Sequence, residues 1–291
     1  QPVRSYKIRG AYNLIAQLGE AERRAGVICA SAGNHGQGVA FACARLGIAA
    51  RIYVPHTTPR QKRERMVALG GGRVELIMVG DTYDDAAAAA RADAERSGAV
   101  VVPAFDDPRT IAGQGTLARE IVEQFGQAPD VLVLPVGGGG MLAGCLTWLS
   151  ERHPATRVIG VEPAVSPTMG VALEAGGPRD LAELDTFVDG AAVRRAGDLT
   201  HAIAARHRPT MYAVPEGRIC SEMLQLYQIE GVIAEPAGAL ATAGLGLFLP
   251  DPGQTVVAVV SGGNNDVSRY AEVVERALVY EGRKHYFLVN F

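Results

Sequence analysis

The sequence predicts an α/β fold with parallel sheets. Three observations carry the prediction. Short β-branched or aliphatic runs recur along all 291 residues, mostly without alternating polarity. The stretches between them hold apolar residues at helical spacing, and glycine clusters stand where a run gives way to a helix.

The runs occupy 27–30, 50–54, 73–79, 99–102, 131–136, 157–161 and 255–260, and their continuous apolar character reads as strands covered on both faces. Helical spacing follows in Val39, Ala42, Cys43 and Leu46, in Ala112, Leu117 and Ile121, and in Met141, Cys145 and Trp148. Residues 81–98, acidic at the start and ending on Gly98, read as a surface helix. The basic run 60–65, broken by Gln61 and Glu64, reads as a solvated helix face. A helical stretch over 266–278 is followed by an apolar strand pattern over 285–289 with nothing after it to pair with. The chain also starts without an initiator Met, so truncation at both ends is expected.

With 48% hydrophobic and 20% charged residues, the chain can bury a substantial core, which excludes disorder. Its 28 basic residues against 31 acidic ones leave no basic excess for neutralising phosphates, so nucleic acid is not an expected partner. No membrane association is expected either, because no apolar run reaches the roughly 18 residues of a span. Cys29, Cys43, Cys145 and Cys220 form no C-x-x-C pair and are too few for a disulfide framework, which points to the cytoplasm.

Gly137, Gly138, Gly139 and Gly140 separate the run at 131–136 from the helix beginning near Met141. A turn without side chains lets backbone N–H groups converge on an anion, and the helix start adds a favourable field, so phosphate is the natural occupant. A tight packing turn would need only one or two glycines. The segment Ser31-Ala-Gly-Asn34-His-Gly-Gln-Gly38 offers N–H groups and an amide suited to a carboxylate and a hydroxyl; a plain helix cap is the alternative. Ser261-Gly-Gly-Asn264 ends the last run, where open sheets bind ligands. Lys7 alone would read as a snorkelling surface lysine.

Taken in order, Ser5-Tyr-Lys7-Ile-Arg-Gly-Ala-Tyr12, the Ser31 to Gly38 segment, Ile111-Ala-Gly-Gln-Gly-Thr116, Pro135-Val-Gly-Gly-Gly-Gly-Met141, Glu235-Pro-Ala-Gly-Ala239 and Ser261-Gly-Gly-Asn264 resemble the fold-type-II pyridoxal-phosphate enzymes of the threonine dehydratase and serine racemase group. The resemblance spans nearly the whole chain and is strongest to the biosynthetic threonine dehydratases. It implies two open, twisted parallel-sheet α/β domains of the tryptophan synthase β-like type, with the active site between them. The implied large domain is 1–25 with 104–279, and the small one is 26–103. Residues 280–291 are implied to open a truncated, ACT-like regulatory module.

The resemblance further implies pyridoxal 5'-phosphate as cofactor, in Schiff-base linkage with Lys7. Asn34 would bond the ring hydroxyl, Gly137, Gly138, Gly139, Gly140 and Met141 would hold the phosphate through main-chain N–H groups, and Ser261 would face the pyridine nitrogen. Ser31, Ala32, Gly33, Asn34 and His35 would surround the substrate. The implied reaction is deaminating β-elimination of L-threonine to 2-oxobutanoate and ammonia, the first step of isoleucine synthesis, in an allosteric homo-oligomer, a dimer or tetramer.

A neutral hydroxyl at Ser261 cannot hold a pyridinium proton as a carboxylate would, which favours prompt loss of a leaving group. L-serine dehydratase and serine racemase are the alternatives. Racemisation needs a second proton donor on the opposite face, where racemase-like relatives place a serine and this chain has Ala32. A non-catalytic amino-acid sensor would have no need of Lys7. A nucleotide-dependent oxidoreductase would need a proper G-x-G-x-x-G fingerprint. Relatives with a divalent site place a carboxylate downstream of Glu162-Pro163, where this chain has Ser166 and Thr168, so no metal is expected.

Overall fold

The computed structural model describes residues 1–290. By compactness the chain divides into two units, Gln1–Ala118 and the remainder from Arg119. Segments 1–25 and 104–118, expected with the larger domain, fall in the first unit by this division.

The first unit is built on four parallel strands, β1 (Val27–Ala30), β2 (Ala50–Val54), β3 (Val74–Met78) and β4 (Val100–Val101), in the order β3-β2-β1-β4. Its helices are α1 (Ile8–Ala16), α2 (Glu20–Ala25), α3 (Asn34–Leu46), α4 (Arg60–Gly70), α5 (Tyr83–Ser97) and α6 (Pro108–Phe125), the last running past the division. Leu14, Val39, Cys43, Ile52 and Met66 fill the core on one side of this sheet. Ile28, Tyr53, Ala86 and Ala90 form a smaller cluster under α5, where the alanine run lets helix and sheet approach closely. Helix α5 opens on the Thr82 hydroxyl, which accepts the Asp85 N–H at 3.2 Å, so a capping box and not acidity alone starts it.

The second unit repeats the scheme with β5 (Val131–Pro135), β6 (Arg157–Pro163), β7 (Thr210–Val214) and β8 (Val256–Ala258), all parallel, in the order β7-β6-β5-β8. Its helices are α7 (Gly140–Arg152), α8 (Thr168–Ala175), α9 (Asp198–His207), α10 (Glu216–Glu230), α11 (Pro236–Ala243) and α12 (Tyr270–Tyr280). Val133, Ile159, Val161, Ile219 and Leu240 centre its core.

Every expected run contains a strand, and β7 is an addition that the sequence reading missed. Coverage on both faces holds for β5 and nearly all of β6, which lie in the middle of their sheet. It fails at the edges: β3 exposes Glu75 and Met78, and β8 is only half-buried. The apolar pattern over 285–289, read as having nothing after it to pair with, forms no strand. Tyr286, Phe287, Leu288 and Val289 are exposed coil. Phe291, the last residue of the segment expected to open a further module, lies outside the described residues. All four cysteines are buried and none is in a disulfide, and among the described residues no helix is long and apolar enough to cross a membrane.

Candidate active site

In each sheet the chain builds outward from one strand and later returns to that strand's other side. The order therefore reverses between β1 and β4, and again between β5 and β8. Open α/β sheets bind ligands beyond the carboxyl ends of the strands at such reversals. The predicted residues lie at or beside these places.

In the first unit, Ser31, Ala32 and Gly33 lead from β1 into α3. Gly33 occupies the cap position and offers no side chain of its own to the first N–H groups of the helix. Asn34 is the first helical residue, one position past the cap. Ser31 Oγ instead accepts the Gly33 N–H at 3.3 Å. A Cβ on Gly36 would lie 2.6 Å from the Ser31 carbonyl oxygen, so the loop can fold this tightly only over glycine.

Lys7 stands immediately before α1. Its backbone N–H donates to Ser5 Oγ, and its Nζ donates to the Ala104 carbonyl, both at 3.2 Å. A Cβ on Gly38 would come within 3.2 Å of Ile8 N, and one on Gly113 within 2.7 Å of Gly10 Cα, so α1 is set close against both α3 and α6. Gln114 Oε1 accepts the Gly10 N–H at 3.2 Å, satisfying a donor of the first helical turn. Two of the motifs that carry the resemblance, around Gly10 and Gly113, thus serve helix packing beneath Lys7.

His35, only 4% exposed, has Nε2 at 2.7 Å from the Val102 carbonyl, which makes Nε2 the protonated nitrogen. Nδ1 is buried without a hydrogen-bond partner. Burial, reinforced by the Lys7 charge, lowers the imidazole pKa to about 4 against the opposing Val102 bond. His35 is neutral at physiological pH.

In the second unit, the glycine turn follows β5. Gly139 has φ +88°, a conformation that L side chains rarely adopt, and a Cβ on Gly137 would lie 2.7 Å from the Ala191 carbonyl oxygen. Thr200, buried on α9, donates its hydroxyl to the Gly138 carbonyl at 2.7 Å. Because the peptide is planar and trans, this turns the Gly139 N–H away from Thr200. Helix α7 starts at Gly140 and Met141 with no side-chain cap, leaving the N–H groups of its first turn to an outside acceptor. Ser261, beyond β8, is buried and donates to the Ala237 carbonyl at 3.3 Å. The neighbouring Gly262 carbonyl accepts the Glu235 N–H at 3.1 Å, tying this loop to the start of α11.

Glu162 is the next-to-last residue of β6 and is 1% exposed. Its carboxylate accepts the Met169 N–H at 2.6 Å and the Gly170 N–H at 2.8 Å, at the first turn of α8. Burial raises its pKa to about 7 despite those two bonds. The folded protein therefore binds a proton between the ordinary carboxylate range and pH 7 that the unfolded chain has released, and stability falls as pH rises through that window. The expected span is about 3 kcal/mol. Urea midpoints at pH 5 and pH 8 should differ in this direction for the wild type and much less for Glu162→Gln; parallel profiles would remove Glu162 as the cause. Among the described residues, no group of three His, Cys, Asp or Glu side chains is placed to hold a metal ion.

A family model described as pyridoxal-phosphate dependent enzyme matches residues 1–262. The chain belongs to the pyridoxal-phosphate-dependent enzyme family. It is 58% identical over its whole length to a Mycobacterium tuberculosis protein named biosynthetic L-threonine dehydratase, of which it spans 68%. The Bacillus subtilis protein of that name is 46% identical, again over the whole chain and 69% of the relative. Among solved structures, the processed threonine deaminase isoform 2 of Solanum lycopersicum superposes with a TM-score of 0.89 at 38% identity, over 95% of this chain and 80% of that one. Maize serine racemase gives 0.85 at 28% identity, over 96% and 85%. The two parallel sheets with interleaved helices are the fold-type-II arrangement of the family.

The residues present fit the family's cofactor. An uncapped helix start behind a glycine turn suits its phosphate, and a Cβ at Gly137 or Gly139 would collide with the turn's own neighbours. A primary amine on Lys7 suits its aldehyde.

Sequence reasoning missed Thr200, the buried bonding role of Glu162 and the side-chain role of His35. For Thr200 no sequence signal was available, since the residue lies 62 positions from the carbonyl it holds.

Proposed function

We propose that the chain catalyses the pyridoxal-phosphate-dependent deamination of L-threonine to 2-oxobutanoate and ammonia, with L-serine as a secondary substrate, and that it serves isoleucine synthesis. The observation that carries this reading is the whole-chain likeness to enzymes named biosynthetic L-threonine dehydratase. When bound, the cofactor supplies an electron-accepting ring conjugated with the substrate amine, which acidifies the Cα proton.

This chain's residues do the rest. Lys7 Nζ would hold the cofactor and, as a free amine, would take the Cα proton. Asn34 orients the ring hydroxyl. Gly137, Gly138, Gly139, Gly140 and Met141 hold the phosphate through main-chain N–H groups, supported by the uncapped start of α7. Ser261 meets the ring nitrogen with a neutral hydroxyl. The substrate carboxylate lies against the N–H groups of the Ser31 to His35 segment, where α3 opens without a side-chain cap.

The reading extends to a cytoplasmic homo-oligomer, a dimer or tetramer, under allosteric control through a module opened by 280–291. Four buried cysteines without a disulfide support the reducing compartment. The test is a 2-oxo acid assay on L-threonine and L-serine, with chiral chromatography of the products. Ala32 presents a methyl group, which cannot donate a proton. The wild type is therefore expected to form 2-oxo acid with negligible D-amino acid, and Ala32→Ser to raise D-serine formation from L-serine. Wild-type racemisation as fast as ammonia release would replace the dehydratase reading with a racemase.

A further inference from the structure

Three consecutive carbonyl groups, those of Val102, Pro103 and Ala104, each accept a hydrogen bond from a side chain of a different helical segment. His35 Nε2, on α3, lies 2.7 Å from the Val102 oxygen; Thr110 Oγ1, on α6, donates to Pro103 at 3.2 Å; Lys7 Nζ, before α1, donates to Ala104 at 3.2 Å. We infer that this carbonyl row is the seat of the Lys7 amine whenever it is not covalently engaged, and that Thr110 and His35 are positioning residues that fix the row. The inference rests on the reading of Lys7 as the cofactor lysine.

The row is held from every direction. The Val102 N–H donates to the Ile28 carbonyl at 2.8 Å, anchoring the segment to β1. Pro103 has a fixed φ and no N–H, so its carbonyl is the only polar backbone group it can use. Asp107 Oδ1 accepts the Arg109 N–H at 2.7 Å and the Thr110 N–H at 3.3 Å, which caps α6 and sets Thr110 in its first turn. A helical threonine ordinarily bonds a carbonyl four residues back, whereas Thr110, fully buried, reaches seven residues back to the row. His35 is neutral and donates from Nε2, so it holds the Val102 carbonyl without placing a second positive charge beside Lys7.

Carbonyl oxygens only accept. The Ala104 oxygen can therefore take an N–H from the lysine as amine or as ammonium, and it cannot itself compete for the Cα proton. An amine tied there is limited to rotation about one hydrogen bond, so it returns to the same place after each proton transfer.

Thr110→Val keeps the shape and removes the hydroxyl; Thr110→Ser keeps the hydroxyl. The chain has three lysines, Lys7, Lys62 and Lys284, so acylation by a small amine-reactive reagent can be read for Lys7 against Lys62 in one digest. In the full chain without added cofactor, Thr110→Val is expected to raise Lys7 acylation about fivefold relative to Lys62. In the loaded enzyme it is expected to lower kcat about fivefold with KM within about twofold, and Thr110→Ser to restore both. Unchanged acylation and kcat in Thr110→Val, or a serine variant as impaired as the valine one, would overturn the proposal. Borohydride reduction of the loaded wild type separates the two readings. A label on Lys62 or Lys284 removes the cofactor role of Lys7, while a Thr110-dependent acylation rate at Lys7 still supports the seat.

Discussion

Lys7→Ala is expected to lower kcat by about three orders of magnitude or more, because the proposed function makes Lys7 both the covalent anchor and the base for the Cα proton. Binding of pyridoxal phosphate should weaken without vanishing, since the glycine turn and the uncapped start of α7 remain intact in the second unit. Borohydride reduction of the loaded wild type, followed by peptide mapping, should mark Lys7 alone among the three lysines. Turnover within tenfold of wild type in Lys7→Ala would sink the assignment whatever the label shows.

Gly139→Ala is expected to produce the second-largest effect, on cofactor affinity. Its φ of +88° strains any L residue, and the new Cβ would overlap Met169 and approach Thr200 Oγ1 to 2.9 Å. The backbone term alone is about 1–2 kcal/mol, so affinity for pyridoxal phosphate should fall about tenfold or more. Gly177→Ala is the control, because a Cβ there meets nothing within 4 Å and no left-handed φ is required. Titration of cofactor absorbance or fluorescence checks both variants. Equal affinities would mean that the turn does not hold the phosphate.

The elements most legible in the sequence are those whose local chemistry is unambiguous. Central strands such as β5 are unbroken apolar runs because helices cover both faces, so 131–136 was readable from composition alone. The edge strand β7, Thr210–Val214, went unread because its residues are mostly half-buried and mixed in character, and its pairing with β6 is what defines it. The apolar pattern at 285–289, which the sequence leaves with nothing after it to pair with, stays coil. Amphipathic helices such as α3 and α7 followed from periodicity, but their starts depended on which glycine takes the cap position.

By itself, the sequence determined the α/β architecture, the two glycine-bearing turns and the lysine in its motif. These depend on properties that belong to single residues and their neighbours: φ near +88° requires glycine, a helix start after a strand exposes N–H groups, and only a lysine offers an amine. Only the tertiary structure decided which groups hold those features in place. Thr200 reaches Gly138 across 62 residues, and Gln114 reaches Gly10 across 104. Thr110 and His35 bond a carbonyl row that no spacing could reveal, and the Glu162 carboxylate accepts the Met169 and Gly170 N–H groups of α8. A buried polar group takes whichever partner the packed elements leave within about 3 Å, and that partner is set by how helices and sheet pack together, not by residue type.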